Sequence, residues 1–379
     1  MTEISHLEKE LALRIGKRYA VALSSGAAAL HLAVKLAAER AYGKTEAEKY
    51  RLNGKKVFVP NFADKTVADV VTYEGGEPVF IDASPDNWGI DPEVLEIAFE
   101  SYPDVKIVLA SHMYGFPCRI DEIKAICASK GALLIEDARE SLGSKLAGKM
   151  TGSFGDYSVV DADMGGALLT DSDAEAEKAK AMSIGTHLKG INETQEVGYN
   201  YVLSPIIVKT FLEQLEKLDG KIEERREAYE LYAEKFPEYM AELNPIEYDA
   251  EPSFTHIAMT VESDICFEEE RFDDGYSYDS VHGTAAPMQI IETLNRKGLK
   301  AKPVYKPLSA QSEFMSCEDI TLDGKKSEYE FADNADFIVR ADEADRIWKN
   351  GVCLPMEIGK IYEAADAVLE CFDENMVKG

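Results

Sequence analysis

Positive charge is scarce in this chain. Its 379 residues carry 41 Lys+Arg against 70 Asp+Glu, a formal net charge of -29. Such a surface repels nucleic acid and anionic membranes, so neither is an expected partner. It also repels small anions, so a phosphorylated ligand would need a local basic patch. Cysteine is sparse too. Cys118, Cys127, Cys266, Cys317, Cys353 and Cys371 are scattered, with no C-x-x-C pair and no histidine at metal-ligand spacing. Neither a disulfide framework nor a metal site is predicted. No apolar run approaches membrane-spanning length. The opening "MTEISHLEKELALRIGKRY" lacks the apolar core of a signal peptide, so the expected location is the cytoplasm. Lysine is missing from one stretch: none occurs between Lys149 and Lys178.

The length suits two or three domains, and the 45% hydrophobic content suits an ordinary globular core. Ser5 and Glu8 have the spacing of a capping box, with Leu7, Leu11 and Ile15 at helical intervals and Gly16 as the stop. "YAVALSS" reads as a buried strand and "GAAALHLAVKLAAER" as an Ala/Leu-rich helix. "KVFVP", "PVFID", "KIVLAS" and "ALLIED" read as further strands. Between them lie helices at Asp64 to Glu74, after Asp91-Pro92, and at Ile120 to Ser129. This alternation predicts an α/β domain with a mainly parallel sheet. One long, charge-laced helix is predicted across 206–240. The remainder mixes strands and helices as a small α+β domain does. The expected division is 1–205, 206–240 and 241–379. Segments 263–286 and 318–331 read as surface insertions.

Several strings, in order, resemble the DegT/StrS family of nucleotide-sugar aminotransferases. They are "VALSSGAAALHLAV", "VFVPNFADKTVADVVTYEGGEPVFIDASPDNWGIDPEVL", "SHMYGFPCRIDEI", "LLIEDARESLGS", "VGYNYVLSPI", "KAKPVYKPLSAQSEF" and "ADRIWKNGVCLPM". The resemblance spans nearly the whole chain. It implies fold type I, with pyridoxal phosphate as cofactor, a keto nucleotide sugar as substrate and a homodimer as the assembly. It also implies a role for each matching position. Gly26 and Ala27 open the helix whose free amides receive the cofactor phosphate, with Ala27 where the family has threonine. Asp137 matches the aspartate that faces the protonated ring nitrogen. Glu140 stands where the family has glutamine near the ring oxygen. Asp64 replaces the aromatic that stacks on the ring, and Asp161 replaces a phosphate-binding serine. Asn200 matches the residue that reaches the partner subunit's cofactor, while Val202 replaces an arginine.

The family's Schiff-base lysine has no counterpart, because the segment joining Asp156 to Gly165-Gly166 is several residues short. Lys189 follows that segment and would have to fold back to serve. A carboxylate beside a phosphate dianion is repulsive by ~1–4 kcal/mol at an effective dielectric of 20–80. The resemblance therefore implies a cofactor that is weakly bound or absent. Lys300 and Lys302 share one strand face, and with Tyr305 and Lys306 they match a region bordering the substrate. They are read either as a nucleotide-diphosphate patch or as a solvated face. His112 and Tyr114 either line the same cleft or pack beneath it. Three functions remain open: an aminotransferase with a compensating group, a degenerate relative that binds a sugar nucleotide or similar anion, and a regulatory dimer partner of an active paralogue.

Overall fold

The computed structural model describes residues 2–43, 50–162, 164–184, 198–236, 241–261, 270–272, 275–277, 286–324 and 342–374. Lys189, most of the 263–286 segment and residues 325–331 lie outside them.

Strands and helices alternate as the patterning requires. The order is α1 (Glu3–Ile15), β1 (Tyr19–Leu23), α2 (Gly26–Tyr42), β2 (Lys56–Pro60), α3 (Thr66–Tyr73), β3 (Glu77–Ile81), α4 (Pro92–Ser101), β4 (Ile107–Ser111), α5 (Ile120–Lys130) and β5 (Leu133–Asp137). A small hairpin, β6 (Lys145–Leu146) and β7 (Lys149–Met150), leads to β8 (Tyr157–Asp161), β9 (Gly166–Thr170) and α6 (Asp173–Ile184). The cap of α1 differs from expectation. Thr2 is the N-cap and accepts from the Ser5 amide. Ser5 Oγ donates back to the Thr2 carbonyl at 2.9 Å, which places Ser5 inside the first turn. Gly16 ends α1 at φ 88°, and Asp91 caps α4 with Pro92 in its first turn.

The large sheet has the order β1-β9-β8-β5-β4-β2-β3-β16, where β16 (Asp319–Ile320) is buried beside β3 and so is part of the main sheet, not of the surface insertion expected at 318–331. From β8 to β16 every pair is parallel, while β9 runs antiparallel to both β8 and β1. Its central strands are buried almost throughout, as expected when helices cover both faces. The C-terminal ends of β4, β5 and β8 come to one side of the sheet, bringing Ser111, Asp137 and Asp161 together. Ligands of open α/β sheets bind at that edge.

The predicted long helix is two helices, α7 (Pro205–Glu216) and α8 (Leu218–Lys235), divided at Lys217. Their apolar residues serve different cores. Val208, Phe211 and Leu215 pack with Leu7, Leu11 and Ile15 of α1, whereas Ala228 and Tyr232 pack with the C-terminal elements. A single straight helix would not aim both stripes correctly. Those later elements are β10 (Ala241–Leu243), β11 (Ala250–Glu251), β12 (Ile257–Val261), β13 (Glu270–Phe272), β14 (Gly275–Ser277), α9 (Pro287–Arg296), β15 (Lys302–Pro303), β16 (Asp319–Ile320), α10 (Glu343–Asn350), β17 (Gly351–Leu354) and α11 (Ile361–Glu374). The sheet β10-β12-β17-β15 is antiparallel. It shares a core with α8, α9 and α11.

Candidate functional site

Asp137 ends β5 with its side chain buried. Arg139 meets it in a bidentate ion pair: Nε donates to Oδ1 at 2.8 Å and Nη2 to Oδ2 at 2.9 Å. Ser111 Oγ donates to Oδ2 at 3.1 Å. Both carboxylate oxygens are thus engaged from within the chain. The same guanidinium reaches Asp64 Oδ1 at 3.4 Å. Burial alone would lower the Arg139 pKa, but Asp137 and Asp64 hold it above the ordinary arginine range. A buried pair of this geometry is expensive to break from one side, by about 3–5 kcal/mol.

Asp161 lies against the first turn of α2, with its carboxylate beside Gly26. Burial pushes its pKa up to about 7, against the pull of Arg139. A side chain at position 26 would displace its neighbours. A Cβ there would meet Asp161 Oδ2 at 2.2 Å and Arg139 Cδ at 2.6 Å. The next helix amides are partly committed. Ser25 Oγ accepts from Ala28 N at 3.1 Å, and the Ser25 carbonyl accepts from Ala29 N. Ala27 itself is exposed.

Glu140 is bonded by other donors. Its Oε1 accepts from Tyr305 Oη at 2.7 Å and its Oε2 from the Tyr114 amide at 2.9 Å. Burial raises its pKa despite those donors. The rings of Tyr114 and Tyr305 stack at 5.4 Å. Gly26, Asp64, Asp137, Glu140, Asp161, Tyr114 and Tyr305 are therefore brought to one place, with Arg139 at its centre.

Other predicted site residues lie elsewhere. His112 is fully buried beneath the cleft. Its Nδ1 accepts from the Cys118 amide at 3.1 Å and its Nε2 bonds Glu136 at 3.1 Å, the packing alternative of the two foreseen. Lys302 reaches His256 Nε2 at 2.9 Å. Lys306 lies over the Trp348 ring at 5.3 Å. Asn200 is exposed, between Tyr199 and Tyr201, whose rings stack at 5.0 Å.

Arg139 is the residue that sequence reasoning passed over. Its signal stood in the motif itself: the family's "EDAAQ" has a small alanine where this chain reads "EDARE". β8 and β9 form a hairpin with Asp161 opposite Gly166. Only residues 162–165 join them, and residue 163 lies outside the described set.

A mixed sheet read at the C-terminal ends of its parallel strands, with a smaller C-terminal α/β layer, defines the fold type I aminotransferase class. Solved structures agree on the fold. Helicobacter pylori PseC, an aminotransferase involved in the biosynthesis of pseudoaminic acid, superposes with TM-score 0.76 at 18% identity, covering 99% of this chain and 92% of that one. 3-Amino-5-hydroxybenzoic acid synthase gives 0.76 at 20% identity, covering 98% and 91%. The chain belongs to the DegT/DnrJ/EryC1/StrS aminotransferase family, whose profile matches residues 2–328. It is 29% identical to EpsN of Bacillus subtilis (strain 168), provisionally named a pyridoxal phosphate-dependent aminotransferase, over 97% of this chain and 86% of that protein. It is 26% identical to GDP-perosamine synthase of Caulobacter vibrioides, over 99% and 90%.

The residues present do not fit the cofactor that this family implies. The carboxylate that would face a ring nitrogen is closed by Arg139 and Ser111. The helix terminus that would receive a phosphate holds Asp161. The position that would stack on the ring is Asp64.

Proposed function

We propose that this chain is a sugar-aminotransferase homologue that does not transaminate, its cleft serving to bind a nucleotide sugar or a related anion. The carrying observation is the bidentate Arg139–Asp137 pair. It occupies the carboxylate on which the family's electron-sink chemistry depends. The lysine-free interval and the tight β8–β9 hairpin support the same reading. The GDP-perosamine synthases among its relatives make a sugar nucleotide the ligand class to try first.

A second reading is that the chain acts as a dimer partner of an active family member. It is favoured by Met164, Val202 and Ile206, apolar residues with 53%, 44% and 84% of their surface exposed. Val202 and Ile206 follow Asn200 closely in sequence. A homodimer in the cytoplasm is the expected default.

The test of the first claim is chemical. Purified protein is incubated with millimolar pyridoxal phosphate, reduced with borohydride and weighed by intact mass spectrometry. The expected outcome is no aldimine absorption band and no added mass. A lysine-linked adduct, on Lys189 or elsewhere, would restore the aminotransferase reading.

A further inference from the structure

We infer that this chain supplies, from its own side chains, the two charges that a family site would take from pyridoxal phosphate. The Arg139 guanidinium faces Asp137 in place of a protonated ring nitrogen, and the Asp161 carboxylate stands at the α2 N-terminus in place of the phosphate. The inference rests on the reading that the chain does not transaminate, and deepens it by naming what fills the site.

Three observations carry it independently of the missing lysine. Arg139 binds Asp137 through two parallel hydrogen bonds, at 2.8 and 2.9 Å, so the buried carboxylate is neutralised without a ligand. Asp161 Oδ2 stands beside Gly26 at the α2 N-terminus and shares that space with Arg139 Cδ. An anion at a helix N-terminus is favoured by the helix dipole and amides; burial raises the Asp161 pKa to about 7, so its carboxylate fills that role in the ionised form above neutral pH. Asp64 closes the far side of the guanidinium at 3.4 Å. Without these groups, the family cradle would leave a buried carboxylate and free helix amides uncompensated. With them, the fold is complete without a cofactor, and the cofactor is shut out by the groups that replace it.

The test opens the cradle. The double variant Arg139→Ala/Asp161→Ser removes both stand-ins and leaves Asp137 and the helix terminus in place. Pyridoxal phosphate binding is measured by calorimetry at pH 8, where Asp161 of the wild type is mostly ionised. The variant should bind at least about tenfold more tightly than wild type, one tenfold step being the smallest clear gain in affinity. Equal affinity in the two proteins overturns the inference.

Thermal unfolding supplies a second arm that is read even if the opened variant is unstable. Arg139→Met alone strands a buried charge, whereas Asp137→Asn/Arg139→Met removes the pair. The pair of substitutions should recover at least about half of the melting temperature lost by Arg139→Met. Strictly additive losses overturn the inference. A borohydride-trapped lysine adduct in the wild type would instead refute the non-transaminating reading, so the two failures are distinct.

Discussion

Glu136 shows how much of this site is set by one residue beside the cleft. It is fully buried on β5. Its carboxylate accepts from the amides of Gly152 at 2.6 Å and of Phe154 and Gly155 at 2.8 Å, from Ser158 Oγ at 3.2 Å, and bonds His112. It therefore pins the loop that feeds β8, and with it the position of Asp161. Burial alone would raise its pKa, but His112 and the Gly152 and Gly155 amides hold it below the usual glutamate range. Because the folded pKa is depressed, the stabilisation is present above the unfolded value near 4.5 and is lost as pH falls through the folded one. Glu136→Gln should cost about 3 kcal/mol near pH 7 by denaturant unfolding. The gap from wild type should narrow in acid, and a cost that does not change between pH 7 and acid would contradict this account. Of the central cluster, Gly26, Asp64, Asp137, Glu140 and Asp161 were legible from their places in the motifs. Arg139 was not singled out, because sequence order does not say that a side chain folds back onto the carboxylate two residues earlier. Nor did it say that Lys302 would reach His256, whose ring packs on Tyr114.

At the scale of elements, the strand–helix order was readable because buried parallel strands are short apolar runs bounded by polar turns. The break between α7 and α8 was not. The charge-laced sequence is helical on both sides of Lys217, and only the presence of two separate cores demands the division. The contact of β9 with α2 was equally hidden. A Cβ at Gly166 would meet Gly26 N at 2.5 Å, Gly26 Cα at 2.6 Å and Ser25 C at 2.7 Å, all backbone atoms that cannot rotate away. Strand and helix terminus touch there without side chains between them. That closeness holds Asp161, paired with Gly166 across the hairpin, beside Gly26 at the helix terminus. Gly166→Ala should therefore lower stability by about 2 kcal/mol or more, as overpacking does when the backbone must move. A loss under about 0.5 kcal/mol would show that β9 and α2 are not in firm contact.

For the whole molecule, the excess of acidic groups and the filled cleft act together. A net charge of -29 disfavours the approach of a doubly charged phosphate, and the cluster at the strand ends is itself rich in carboxylates. The fold of a fold type I aminotransferase is retained across both layers, including β16, which returns from the C-terminal third to extend the large sheet beside β3. The cores of both layers are built from the chain's own apolar residues, and the proposal concerns only the charges at the strand ends. The most direct measurement is a high-resolution crystal structure of the wild-type protein soaked with millimolar pyridoxal phosphate. The account predicts Arg139 bidentate on Asp137, Asp161 at the α2 terminus and no ring density between them. Ring density over Asp137, with Arg139 swung away, would contradict it.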